Sequence, residues 1–205
     1  MDTLELIVEK VLEKIEKSRH IPIEASARHV HLSREDVDRL FGDGYELEKV
    51  RELSQPNQYL CKERVDIIGP KSVLRNVAIL SPVRGSTQIE ISRTDSVALG
   101  INAPLRLSGD LENSEILFIN CYRKVIEARS SAIVAKRHIH MAPEDGIKFG
   151  VLDKQIVRVR VYSDRPVVFE DVIVRITEKS RLAMHIDYDE ANACSFMEGV
   201  TGEII

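Results

Sequence analysis

The chain has 205 residues, a formal net charge of −4 and 43% hydrophobic residues, a balance ordinary for a soluble globular protein. It shows no basic face and only 5% aromatic content, so no nucleic-acid partner is expected; no apolar run approaches the roughly 18 residues of a membrane span, so no membrane partner is expected either. Cys61, Cys121 and Cys194 form no close pair, which suits a reducing cytoplasm and offers no zinc-finger spacing.

Residues 3–18 read as an amphipathic helix. Leu4, Ile7, Val8, Val11, Leu12 and Ile15 share one stripe, and the charged residues fall mostly elsewhere. Charges at every third or fourth position leave no signal-peptide core. The apolar stripe suits either packing on the protein's own body or docking on another protein surface. Pro22 stops the helix and turns the chain toward extended geometry. Ile21–His31 then reads as a strand, and Ser33 caps a short helix with Val37, Leu40 and Phe41 facing inward. Residues 45–64 look irregular, with a turn at Pro56-Asn57. Short β segments follow at 65–68, 72–80, 86–92, 104–107, 115–119 and 122–127. The second half repeats the plan: a strand over Ser131–His140, a short helix opened by Pro143, strict alternation in Val157–Val161, then strands over Val167–Ile176 and Leu182–Ile186. The expected fold is mainly β, sandwiches or barrels rather than an α/β sheet.

The most informative feature is a repeated stretch. Arg28-His29-Val30-His31-Leu32-Ser33-Arg34-Glu35-Asp36 returns as Arg137-His138-Ile139-His140-Met141-Ala142-Pro143-Glu144-Asp145. On a strand, side chains at i and i+2 leave the same face roughly 6–7 Å apart, so two imidazoles can converge on one metal ion. A single His-x-His is often just two half-exposed histidines; its recurrence in one context points to a duplicated unit and to metal.

Two histidines hold a metal loosely, so each copy should have a third ligand. Sliding the second half back by 95 positions brings Glu170–Val174 onto Arg75–Ile79 and His185-Ile186-Asp187 onto Glu90-Ile91-Ser92. The His-x-His copies are 109 positions apart, so the second repeat is shorter by 14 residues, a loss expected in the 45–64 stretch. Glu90 and His185 become equivalent. The candidate ligand sets are His29, His31, Glu90 and His138, His140, His185, the His₂Glu and His₃ types of open zinc sites. Taken alone, Glu90 reads as a solvated carboxylate and His185 as a core histidine. Arg84 precedes Glu90 by six residues, and its planar fork suits phosphate or carboxylate. Lys179 is its counterpart. Ser108, before Gly109 in Arg106-Leu107-Ser108-Gly109-Asp110, is a second candidate oxyanion contact, with a plain β-turn as the alternative.

These motifs together resemble the phosphate propanoyltransferase family of phosphotransacylases. The carriers are Ser26–Ser33, Pro82–Ser92, Arg106–Asp110, Ala135–Met141 and Met184–Ala193, in order, from about residue 20 onward. The resemblance implies two similar β-barrel domains with short capping helices, the first over 28–136 and the second over 21–27 with 137–205. It implies two zinc ions per chain: one on His29, His31 and Glu90, taking the coenzyme A sulfur as thiolate, the other on His138, His140 and His185. It implies phosphate contacts from Arg84, as a catalytic group, and from Ser108. The activity implied is exchange of a short acyl group, propanoyl or acetyl, between coenzyme A and phosphate. Residues 1–20 resemble the targeting peptide by which some members enter bacterial microcompartments, with a shell or core protein as partner; otherwise the protein is expected in the cytoplasm, where a homo-oligomer is allowed. The family pattern has Gly near Asn57, and Asn tolerates the left-handed backbone. A di-zinc hydrolase and a non-catalytic microcompartment adaptor are the alternatives.

Overall fold

A computed structural model describes residues 19–205; the helix expected over residues 3–18 lies outside the described residues. The chain divides into two compact units. The first comprises Ser26–Lys136 with Asp187–Glu190; the second comprises, among the described residues, 19–25, Arg137–Ile186 and Ala191–Ile205. Among the described residues no helix is long and apolar enough to cross a membrane.

The second unit is a closed barrel of β1 (Ile21–Ala25), β10 (His138–Met141), β11 (Ile156–Tyr162), β12 (Val167–Ile176), β13 (Ala183–Ile186) and β14 (Thr201–Ile204), in the order β1-β13-β10-β12-β11-β14. The first unit contains β2 (His29–His31), β3 (Lys49–Glu52), β4 (Tyr59–Ile68), β5 (Val73–Ser81), β6 (Gln88–Glu90), β7 (Leu105–Arg106), β8 (Glu115–Cys121) and β9 (Lys124–Ala135). Its pairings run β4-β5-β2-β6-β9-β8 and return to β4, so this sheet also closes, with β3 and β7 as additions at its margins. Both rings use the same sense of pairing. β2 and β10 run parallel to β5 and β12, and antiparallel to β6 and β13. Closure leaves no unpaired edge within either ring.

Short helices cap the barrels: α1 (Arg34–Phe41), α2 (Arg93–Leu99), α3 (Pro143–Phe149) and α4 (Tyr188–Ala193). Ser33 Oγ accepts the Asp36 N–H at 3.1 Å, as an N-cap should. α2 was not anticipated, although Ser92 and Asp95 form a capping box at its start. The alternation in Ile156–Tyr162 is the pattern of a strand with one wet face. Val30, Ile79, Ile89 and Ile119 belong to one core, and Ile139, Val159, Val174 and Met184 to the other.

Three expectations from periodicity need correction. Ile21–His31 is not one strand: β1 ends at Ala25 and pairs with β13, whereas β2 begins at His29 and pairs with β5 and β6. Ser131–His140 breaks the same way, since β9 ends at Ala135 and pairs with β6 while β10 pairs with β12 and β13. Residues 45–64 are not irregular throughout, because β3 and the front of β4 lie there. β4 carries register shifts between Leu60 and Arg64. Arg64 folds back to donate to the carbonyls of Cys61, Lys62 and Glu63, which satisfies a bulge that hides the alternation. Asn57 takes φ 61 in the turn between β3 and β4.

Candidate metal centres

Val30 and Ile139, the middle residues of the two His-x-His pairs, are fully buried in their barrel cores. The strand alternation therefore sends both histidines of each pair to the opposite face. Register supplies the third donor. His29 stands opposite Ala78 on one side and Glu90 on the other; His138 stands opposite Ile173 and His185. Both neighbours shift by 95 positions between the units. His29, His31 and Glu90 bring donor atoms within 4.8 Å of one another, and so do His138, His140 and His185.

In the first unit, His29 Nδ1 donates to the Ala27 carbonyl at 2.8 Å, and Nε2 lies 3.6 Å from Glu90 Oε2. Burial opposes a charge on His29, but the Glu90 carboxylate and the Ala27 carbonyl still raise its pKa. Burial would also raise Glu90; the charge and hydrogen bond of His29, with His31 and the Ser108 hydroxyl, hold it below the usual carboxylate range instead. His31 is pushed down to about 3 by burial and by His29 and Arg84, so it is a neutral donor at ordinary pH. Its Nε2 accepts from Arg84 Nη2 at 2.8 Å. Its Nδ1 is buried beside the Leu80 carbonyl with no well-aligned hydrogen bond.

Arg84 is held there by its backbone. Its N–H donates to the Leu32 carbonyl at 2.9 Å, and it bridges to Ser33 just beyond β2. Arg84 Nη1 donates to Ser108 Oγ at 3.0 Å, and Ser108 Oγ donates to Glu90 Oε1 at 2.9 Å. One network thus joins a guanidinium, a hydroxyl and a candidate metal-ligating carboxylate. Gln88, not singled out by sequence, organises it. Its amide nitrogen donates to Ser108 Oγ at 2.9 Å and to Glu90 Oε1, and its oxygen accepts the Gly109 N–H at 2.8 Å. The sequence signal was available: Gln88 is two residues from Glu90 and therefore on the same strand face.

In the second unit, His138 Nε2 and His140 Nε2 are 3.0 Å apart. The rings of His138, His140 and His185 have centroid separations of 4.6, 5.3 and 4.8 Å. Burial and the neighbouring His138, His185 and Arg175 lower His140 to about 2. Glu24 Oε2 lies 3.1 Å from His185 Nε2, a contact the sequence did not suggest. Lys179, the counterpart of Arg84, is exposed. The donor set in both units fits zinc: imidazole nitrogens of five histidines and one carboxylate, gathered three to a cluster.

Two closed barrels, each bearing a three-donor cluster that could hold a metal ion, one of them hydrogen-bonded to an arginine and a serine, define the class of β-barrel protein to which the chain is compared. The model of the family described as phosphate propanoyltransferase matches residues 22–197. The phosphate propanoyltransferase of Clostridioides difficile is 52% identical over 199 residues, 97% of this chain and 95% of that protein. Those of Listeria monocytogenes and Thermotoga maritima are 51% and 49% identical, covering 97% and 94% of this chain and 93% and 92% of their own lengths. The chain belongs to the phosphate propanoyltransferase family, and with it to the phosphotransacylases, a class of acyltransferase.

Proposed function

We propose that this chain interconverts a short-chain acyl-CoA, propanoyl or acetyl, and phosphate with acyl phosphate and free coenzyme A, using one zinc ion at each cluster. The observation that supports this reading is the hydrogen-bonded link from Arg84 through Ser108 to Glu90, since it joins a guanidinium to the carboxylate of a three-donor cluster. His29, His31 and Glu90 would hold one ion; His138, His140 and His185 would hold the other. Zinc bound there supplies a Lewis acid that lets a thiol ionise at neutral pH, where a free thiol with a pKa of about 8.5 is mostly protonated. Arg84 donates N–H groups to two phosphate oxygens, and Ser108 donates to a third by turning its hydroxyl hydrogen away from Glu90. Phosphate so held has one oxygen left to attack the thioester carbonyl. The C–O bond forms, the C–S bond breaks, and the electron pair leaves on sulfur. In reverse, thiolate sulfur attacks the acyl carbon and phosphate departs, its charge met by Arg84. Holding the reactants in one orientation removes much of the entropic barrier. No side-chain nucleophile is needed, and Cys61, Cys121 and Cys194 are all buried.

Zinc-loaded protein incubated with propionyl phosphate and coenzyme A should consume thiol only when both are present. Phosphate release without coenzyme A would instead mark a hydrolase, and neither reaction would leave an adaptor. Gln88→Ala should weaken zinc at the first-unit cluster by about 10–100-fold, the usual loss when a ligand's outer partner is removed, and should raise the KM for phosphate by freeing the Ser108-Gly109 turn. Competition with a chelator and phosphate-dependent kinetics measure both. The stripe on residues 3–18 serves, in this reading, as a docking peptide for a microcompartment protein. A fluorescent reporter fused to residues 1–20 should then form foci in a compartment-forming host; diffuse signal opposes it.

A further inference from the structure

We propose that Arg175 is a second anion-binding residue: its guanidinium holds a phosphate group beside the three-histidine cluster of the second unit. This deepens the proposed reaction and rests on the reading of His138, His140 and His185 as metal ligands. β12 runs parallel to β10 and sets Arg175 opposite His140. The pair before it, Ile139 and Val174, is fully buried in the barrel core. Alternation therefore sends Arg175 and His140 together to the other face, the one that carries the three histidines. Arg175 is half-buried, and among the described residues it has no hydrogen-bond or ion-pair partner. Glu24, which reaches His185, lies three strands along the barrel from β12. A guanidinium partly withdrawn from water and left without an acceptor is poised for an anionic ligand.

The first unit reaches the same arrangement by another route. There too a guanidinium stands at the second histidine of the His-x-His pair, where Arg84 Nη2 meets His31 Nε2 at 2.8 Å. The residue 95 positions before Arg175 is Leu80, which carries no charge, so the first unit draws its arginine from the loop after β5. In the second unit Lys179, at the position of Arg84, is exposed, and the strand itself supplies the charge. The duplication thus keeps an arginine at each cluster while moving the residue that provides it. The two clusters differ in their own charge: the first contains the Glu90 carboxylate, whereas the second is three imidazoles. A divalent cation in the second would sit near Arg175 with charge of the same sign, and an anion between them removes that conflict. A phosphate group fits, because two of its oxygens accept the paired N–H groups of arginine. Free phosphate and coenzyme A, both substrates in the proposed reaction, can each present one.

The test is calorimetric titration of the zinc-loaded full chain with inorganic phosphate and, separately, with coenzyme A, alongside steady-state kinetics. Arg175→Gln removes the charge and keeps most of the length. It should weaken inorganic phosphate about 10–100-fold, the loss expected when a charged hydrogen-bond donor is removed, and raise the KM for phosphate in proportion. Zinc stoichiometry and melting temperature should stay as in wild type, since Arg175 is no ligand. Arg175→Lys should recover part of the affinity, which a folding defect would not allow. If the loss falls on coenzyme A and spares inorganic phosphate, the group held is a phosphate of the cofactor, and the assignment of Arg175 to phosphate stands. Unchanged affinity for both probes in Arg175→Gln overturns the inference. Loss of a zinc ion in that variant also overturns it, because Arg175 would then support the histidines instead. Binding decides Arg175 separately from turnover: wild type that binds phosphate through Arg175 but consumes no thiol faults only the proposed reaction. Should wild type take up no zinc, the metal reading is wrong and the inference falls with it.

Discussion

Replacing His31 with alanine is expected to abolish turnover by emptying the first-unit metal site while leaving the barrel folded. A structural zinc contributes about 10–16 kcal/mol in small zinc domains. Shared among three or four ligands, that is about 3–4 kcal/mol each, or about 10²–10³-fold in affinity. His31 also accepts from Arg84 at 2.8 Å, so its loss frees the guanidinium as well. Chelator competition should show one weakened ion, and thiol consumption should fall at least in proportion to the occupied fraction. The companion variant is Cys61→Ala. Cys61 is fully buried in the first core, and burial, with the Glu63 charge, pushes its thiol up to about 11, so it is inert as a nucleophile. That substitution should lower the melting temperature slightly and leave turnover per folded molecule unchanged. Full activity in His31→Ala would remove the basis for the proposed chemistry.

The candidate donor clusters were legible in the sequence because the duplication carries their residues at two fixed offsets. Residues 109 apart give the His-x-His pairs, and residues 95 apart give Glu90 and His185; the strand register pairs His29 with Glu90 and His138 with His185. The same offset marks a backbone detail, since Asn76 and Asp171 both have left-handed φ, 57 and 51. What periodicity could not give was connectivity. Ile21–His31 alternates well enough to read as one strand, and nothing in Ser26-Ala27-Arg28 announces that its ends pair with different partners. Glu24 was invisible for that reason: the 109-residue offset matches it with Ile133, a residue with no donor chemistry, and only the β1–β13 pairing brings it to His185. Gln88 was hidden differently. Its role depends on the turn at Ser108-Gly109, 20 residues on, and a long-range polar network has no period to detect. The short helices α2 and α4 fell below the length at which a stripe stands out, although Ser92 and Asp95 offered a capping signal for the first.

Arg84→Ala should separate oxyanion binding from metal binding, because Arg84 reaches the triad through hydrogen bonds and is no ligand itself. Its backbone is fixed to Leu32 and Ser33, so truncation leaves the strand path intact and removes only the fork. Loss of one well-placed donor to developing negative charge typically costs about 10²–10³-fold in rate, and Arg84 supplies two. The expected result is a fall of that order in kcat/KM for acyl phosphate or phosphate, with the KM for coenzyme A little changed and zinc stoichiometry intact. Arg84→Lys restores the charge as a single point without the paired geometry, so it should recover phosphate affinity in part and rate less. The split between the two variants carries the argument: equal loss in both means that geometry dominates, and near-complete rescue by lysine means that charge alone suffices. Should Arg84→Ala instead shed zinc from the first-unit cluster, the guanidinium would have to be assigned to holding His31 and Glu90 in place, and phosphate recognition would have to be sought elsewhere in the chain.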